Sequence, residues 1–246
     1  MDWSSLTGIV LAIVGILVGQ AIEGGHFSSL IQPAAFIIVL SGTVGAVLLQ
    51  NNLKEVIDSV LMLRQVFVEP IDDRKDLAKK ISLWSHFARK EGIMMLEPYM
   101  QKEKEPFIKK GLLLMVDGTP PDKIREVMAI DMHFYELQQR NYAKIWSAAG
   151  GYSPTIGILG AVLGLIHVME NLSDPSKLGS GIAVAFVATI YGVGLANLVF
   201  LPISHKMRIN LQKEMMRREM LLNAWVSIAN GDHPKIVDER VTAYLR

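Results

Sequence analysis

The sequence predicts an all-α fold: a polytopic membrane protein with four transmembrane helices and a helical cytoplasmic domain. Three observations carry this. Four stretches hold no Asp, Glu, Lys or Arg: Trp3–Ile22, Gly24–Asn52, Ile145–Met169 and Leu178–His205. Each is long enough to cross a hydrocarbon core of ~30 Å, which takes ~20 helical residues. The stretches come in two pairs, separated by a charged block. The basic residues are also one-sided: of 25 Lys and Arg, sixteen fall in 51–148 and eight in 204–246, with only Lys177 elsewhere. Basic loops stay in the cytoplasm, which puts the middle block and both termini inside. The turns at Gly24-Gly25-His26 and Asp174-Pro175-Ser176 then face outward. Net charge is +1, which gives no basis for nucleic-acid binding, and the absence of cysteine excludes disulfides and thiolate metal sites.

The first helix is expected over 5–22. The only charge ahead of it is Asp2, where a signal peptide would carry a basic region, so the segment reads as a retained helix despite the cleavage-like Gly19-Gln20-Ala21. The second helix is expected over 31–50, and the short polar turn Glu23-Gly24-Gly25-His26 makes the pair an antiparallel hairpin. The third and fourth, over 148–169 and 181–203, form another hairpin, linked through Asn171 to Ser180 with Asp-Pro and Gly turn signals. Gly15 and Gly19 are four apart, as are Gly160 and Gly164. That spacing lets helix backbones approach closely in lipid, but it does not name the neighbour.

The charged block reads as helical. Leu53, Val56, Ile57, Val60, Leu61 and Leu63 make an apolar stripe at helix spacing, and a second helix runs from Arg74 to Lys90. Glu97-Pro98 and Glu105-Pro106 are read as interruptions, because the residue before proline avoids the α region. Leu112 to Val116 is apolar but too short to span. Asp117-Gly118-Thr119-Pro120-Pro121 is a turn that opens a helix, with Thr119 as N-cap and Pro120 at the first helical position. From Asp122 the helical pattern continues through Trp146 into the third span. The expected organisation is a first hairpin, 1–50, a cytoplasmic helical domain, 51–147, a second hairpin, 148–203, and a cytoplasmic tail, 204–246. In the tail, Met215-Met216-Arg217-Arg218 continues a basic helix at or below the inner membrane surface.

Enzyme chemistry finds no support. There is no nucleotide-binding glycine loop, no His/Glu metal pair at helical spacing and no nucleophile with a nearby base, so neither an enzyme nor a cofactor is expected. His167, the one histidine inside an apolar run, reads as packed or interfacial. The apolar stretches hold no carboxylate, so ion movement through these helices would need a titratable group from another chain. Ser153, Thr155, Thr189, Tyr191 and Asn197 are polar residues in apolar surroundings. A hydroxyl in lipid can satisfy itself on the carbonyl one turn back, so Thr155 and Thr189 are either self-satisfied or line a polar path. Pro154 and Pro202 break the backbone ladder near the inner ends of the last two spans, as a tolerated kink or as a hinge. Arg89 and Glu97 flank Gly92 in a charged region whose default reading is a solvated face.

Four stretches, in this order, resemble flagellar motor stator subunits of the MotA/PomA/MotC family. Arg89-x-x-Gly92-x-x-x-Leu96-Glu97 resembles the family's rotor-facing motif. Asp117-Gly118-Thr119 with Ile124-Arg125-Glu126 resembles the turn before its long helix. Gly151-Tyr152-Ser153-Pro154-Thr155-Ile156-Gly157-Ile158-Leu159-Gly160 resembles the start of its third span. Val184-Ala185-Phe186-Val187-Ala188-Thr189-Ile190-Tyr191-Gly192, followed by Pro202, resembles its fourth. The likeness covers nearly the whole chain.

The resemblance implies a function. Five copies ring a dimer of a MotB-type partner in the bacterial inner membrane, and the partner's single helix supplies one aspartate facing the ring. Ion binding to that carboxylate and release from it step the ring, which turns the rotor. Arg89 and Glu97 are then implied to meet opposite charges on the rotor protein FliG, Pro154 and Pro202 to shape the conformational step, and Thr189 and Thr155 to lie on the ion path. Sodium-driven relatives carry a threonine seven residues after the third-span proline, where this chain has Ala161. A methyl group offers sodium no oxygen ligand, so the resemblance points to protons. Of the family's sodium ligands, Thr189 is retained. The alternative is a TolQ/ExbB-type energiser of an envelope-spanning partner, which is similar in the last two spans but has a single helix before the loop.

Overall fold

A computed structural model describes residues 3–67 and 72–245, and among them no strand occurs. In chain order the helices are α1 (Trp3–Ile22), α2 (Pro33–Gln50), α3 (Leu53–Leu61), α4 (Leu63–Phe67), α5 (Arg74–Glu91), α6 (Glu97–Lys102), α7 (Pro106–Val116), α8 (Pro121–Glu170), α9 (Pro175–Leu195), α10 (Leu201–Ala229) and α11 (Pro234–Thr242). Three helical segments are long and apolar enough to cross a membrane: Phe27–Gln50, Pro121–Glu170 and Leu178–Ala229; Thr7–Ile22 is a shorter apolar helix. The chain divides into two compact units, residues 1–69 with 140–208, and residues 70–139 with 209–246.

In the first unit, α8 and α9 meet along a seam of small residues. Gly157, Gly160 and Gly164 of α8 lie against Gly181, Ala185, Ala188 and Gly192 of α9. A Cβ at Gly192 would come 2.6 Å from the Ser153 carbonyl oxygen and 2.9 Å from Gly157 Cα, and one at Gly164 would come 2.9 Å from the Gly181 carbonyl oxygen. The two backbones touch, as small residues permit in lipid. α2 covers the next face of α9 through Ala35, Val39, Val187 and Ala188. It also reaches α8, where Ile156 fills the space over Gly42. Val47, Ile145, Ala149 and Phe200 form a further apolar cluster. Gly15 and Gly19 of α1 meet nothing within 4 Å, so only the Gly160/Gly164 pair packs inside the chain.

The second unit has the larger core: Leu77, Ile81, Trp84, Leu112, Met115, Ile124, Met128, Leu221 and Trp225 are among its buried members. Each fully buried large apolar side chain contributes ~1.5–3 kcal/mol. The Trp225 ring lies against Phe107, centroids 5.5 Å apart, and over Gly111, where any side chain would collide with it. Arg217 of α10 ties the starts of two helices together. Its Nε and Nη2 donate to Asp73, ahead of α5, at 2.8 and 3.0 Å, and its Nη1 and Nη2 donate to Glu105, ahead of α7, at 2.7 and 2.6 Å. The Glu105 carboxylate is the main cause of an upward pKa shift at Arg217, against an opposing effect of burial. Arg218 donates to Glu214 at 2.7 Å and stacks over the Tyr135 ring, 3.5 Å from its centroid.

Several elements differ from the sequence reading. Residues 209–246, read as a separate tail, share the core of 70–139. α8 begins at Pro121 rather than Pro120. The turn before it is built by Gly118 at φ +70, whose N–H donates to the Met115 carbonyl while that of Thr119 donates to Leu114, a left-handed glycine ending that satisfies the last carbonyls of α7. Glu105 is extended before its proline, but Glu97 is helical, φ −55 and ψ −44. Pro98 sits in the first turn of α6, where its missing N–H costs no hydrogen bond of that helix. The stripe at 53–63 turns inward only in part: Val56 packs against the cluster of Val47, Ile145, Ala149 and Phe200, but Leu53, Ile57, Val60 and Leu61 are exposed, and the fully buried residue is Ser59, whose hydroxyl donates to the Tyr142 carbonyl at 3.1 Å.

Three substitutions test this packing. Arg217→Ala leaves Asp73 and Glu105 without their shared donor. It should destabilise the second unit by ~2 kcal/mol, between the ≤1 of an exposed pair and the 3–5 of a fully buried one, read as a lower unfolding midpoint in detergent. Gly192→Ala forces the α8 and α9 backbones apart and should cost ~1–3 kcal/mol, whereas Gly194→Ala, in open space, should not. Equal midpoints for these two glycine variants would contradict the seam.

Candidate functional site

The residues singled out by sequence form two groups, one in each unit. In the first unit, Thr189 is half-buried on α9, at the border between the α8 seam and an open face formed by Ile182, Phe186, Ile190 and Val193. Its hydroxyl donates to the Ala185 carbonyl at 3.3 Å. Thr155 is exposed, on the face of α8 turned away from the seam, with Ile158, Leu159 and Val162. Its hydroxyl donates to the Tyr152 carbonyl at 2.8 Å. Each threonine is thus satisfied within its own helix. Ala161 is half-buried and lies beside the seam face rather than on the Thr155 face.

Pro154 lies inside α8 without ending it. It supplies no N–H for the carbonyl four residues back, at Gly150. Leu201 packs there: a Cβ at Gly150 would come 2.6 Å from its Cδ2. Leu201 is also where α10 begins, after a π-helical turn over Ala196–Phe200. Its N–H reaches five residues back to the Ala196 carbonyl, and Pro202 follows. The two proline irregularities therefore face each other across the Gly150–Leu201 contact. The π turn carries no signal in the sequence beyond Pro202 itself.

Two further polar residues are placed here. The Ser153 hydroxyl is fully buried beside the Gly157–Gly192 contact and has no hydrogen-bond partner. The Tyr191 hydroxyl donates to the Leu30 carbonyl and accepts from Gln32 N at 3.3 Å, tying α9 to the start of α2 two residues from Thr189. Sequence alone flagged both as polar residues in apolar surroundings but could not assign their partners. His167 is exposed.

In the second unit, Arg89 lies in the last turn of α5 and Glu97 opens α6, both exposed. Gly92, at φ +95 and ψ +157, breaks the helix between them, a conformation that favours glycine. The two charges therefore do not share one straight helical face. Arg89 Nη1 donates to the Gly231 carbonyl at 2.9 Å, and a Glu97 oxygen accepts from Gln101 at 3.1 Å. Both side chains thus have a hydrogen-bond partner on the surface of a well-packed unit. No group of His, Cys, Asp and Glu suited to a metal ion occurs among the described residues.

Comparison with known proteins matches both parts of the chain. The pattern of the MotA/TolQ/ExbB proton channel family covers residues 100–220, and that of the motility protein A N-terminal region covers residues 6–92. Motility protein A of Bacillus subtilis is 34% identical over 246 residues, covering 100% of this chain and 91% of that protein. Among solved structures, that of C. jejuni MotAB matches with a TM-score of 0.94 at 28% identity, covering 100% of this chain and 96% of the other. The flagellar MotAB stator complex from Bacillus subtilis matches with a TM-score of 0.90 at 34% identity, with the same coverage. With a relative this similar matched over nearly its whole length, the chain belongs to the motility protein A family.

Proposed function

We propose that this chain is the ring-forming stator subunit of a bacterial flagellar motor, which with a MotB-type partner couples proton flow to torque on the rotor. The observation that carries this reading is the likeness to MotAB stator structures over the full length of the chain. The match to the motility protein A N-terminal pattern favours the motor over a TolQ/ExbB-type energiser.

In this reading the chain crosses the inner membrane four times with both termini in the cytoplasm, and five copies surround two partner helices. The apolar stretches hold no carboxylate, so the partner supplies the one that binds the ion. An aspartate in a dry interface has a raised pKa. It takes a proton from outside and releases it inside, driven by ~2.3 kcal/mol per charge per 100 mV. Thr189 and Thr155 lie on faces of α9 and α8 not consumed by the seam, where a partner helix can reach them. Ala161 adds no oxygen ligand, which favours protons over sodium. Pro154, Pro202 and the π turn between them allow the step, and exposed Arg89 and Glu97 meet FliG.

The test is swimming of a cell lacking its own stators, complemented with this gene and its partner gene. Speed should be independent of external sodium and abolished by a protonophore. Arg89→Glu should reduce swimming under load while membrane insertion and partner binding persist. Speed that rises with sodium would overturn the ion assignment and leave the motor reading in place. A fully motile Arg89→Glu strain would remove the rotor contact.

A further inference from the structure

One hydroxyl in the first unit has no part in the ion or rotor reading. Ser153 is 0% exposed, and its Oγ has no hydrogen-bond partner. Among the described residues, the three other buried Ser and Thr side chains of that unit are all bonded. Thr43 donates to the Val39 carbonyl at 2.6 Å, Ser59 to that of Tyr142 at 3.1 Å and Ser204 to that of Ala143 at 2.8 Å. A buried hydroxyl without a partner loses its hydration and gains no bond in return, so its presence calls for a reason. Alanine, which fills the buried positions 149 and 188 of the same two helices, would avoid that loss.

The sequence sets this hydroxyl beside a second unmet need. Pro154 has no N–H to give the Gly150 carbonyl. Gly150 lies three residues before Ser153, and a serine hydroxyl in a helix reaches the carbonyl three or four residues back through its own χ1. Thr155, two residues further on, makes that three-residue bond to the Tyr152 carbonyl at 2.8 Å. Bonding of this kind bends a helix. Leu201 packs at Gly150 here, its Cδ2 2.6 Å from where a Cβ would stand. Because Leu201 ends the π turn and precedes Pro202, a shift at that joint moves what rests on Gly150. We propose that Ser153 positions the conformational step: its hydroxyl, unpartnered in this arrangement, donates to the Gly150 carbonyl in a more bent arrangement of α8. The inference rests on the stator reading, in which the Pro154 joint moves as the ion passes. A hydroxyl orphaned in one arrangement and bonded in the other interacts differently with the two, which is what shifts an equilibrium. It raises the resting arrangement and lowers the bent one, with no residue needed from another chain.

The test uses the full chain with its MotB-type partner deregulated to stay open. Proton uptake into vesicles under an imposed potential is followed beside the unfolding midpoint of the complex in detergent. Ser153→Ala should slow uptake about fivefold, the factor that one net hydrogen bond is worth. It should leave the midpoint unchanged or raise it, because no bond is lost at rest. Ser153→Cys, a weaker donor of similar shape, should fall between the two in uptake. A lower midpoint for Ser153→Ala would show a hydroxyl already bonded at rest, to protein or to a buried water, and would overturn the proposal. So would a Ser153→Ala chain that fails to assemble, since losing an unpartnered hydroxyl removes no contact that assembly needs. Uptake by Ser153→Ala equal to that of the wild type would remove this inference alone. A wild-type complex that takes up no protons would remove the stator reading and this inference with it.

Discussion

The membrane unit depends on two helices meeting backbone to backbone. In lipid no hydrophobic gain draws helices together, so close packing must do so. Gly157 against Gly192 and Gly164 against Gly181 leave no space for a side chain between α8 and α9. The contact has a functional corollary. A seam this tight cannot be a route for ions, so any path lies on the outer faces of the pair. Thr155 and Thr189 occupy those faces, among Ile158, Val162, Ile190 and Val193. The apolar side chains around them are suited to a partner helix as much as to lipid. The fully buried, unpartnered Ser153 hydroxyl lies at the same level, beside the proline that interrupts α8.

The second unit solves a different problem, that of holding exposed charges in fixed positions. Arg89 lies in the last turn of the 18-residue α5 and Glu97 opens the short α6. Gly92 ends α5, Asp73 and Glu105 precede α5 and α7, and Arg217 grips both carboxylates at once. α10 carries Arg217 and Trp225, so one helix supplies both the ionic clamp and the centre of the core. Arg74 holds the Asp72 carboxyl at about 2 by a side-chain hydrogen bond. That contribution is complete above the ordinary value of 3.8 and is lost as pH falls toward 2. It is small, because Asp72 is 60% exposed.

Much of this was legible in the sequence, and the rest was not for definite reasons. Charge-free stretches longer than a bilayer report helices directly, and the run from Asp122 into the third span predicted the unbroken α8. The Gly160/Gly164 spacing correctly signalled close approach, while Gly15/Gly19, with the same spacing, has no neighbour in the chain. Spacing reports which face is small, not what lies against it. For the same reason the stripe at 53–63 gave a helix but not its exposure. The partition of residues 209–246 with 70–139 rests on contacts between segments far apart in sequence, such as Arg217 with Asp73 and Trp225 with Phe107, which no local pattern encodes. The π turn is a slip of one residue in hydrogen-bond register. Pro202 marks its place but does not distinguish it from an ordinary kink.

The central claim is that this chain builds the walls of an ion path and leaves the ion-binding carboxylate to another protein. The most direct measurement is proton uptake into vesicles under an imposed potential. The chain would be reconstituted alone, with its MotB-type partner deregulated to stay open, and with that partner's membrane aspartate replaced by asparagine. The account predicts uptake only with the intact partner. Potential-driven uptake by the chain alone, or uptake that survives loss of the aspartate, would contradict it.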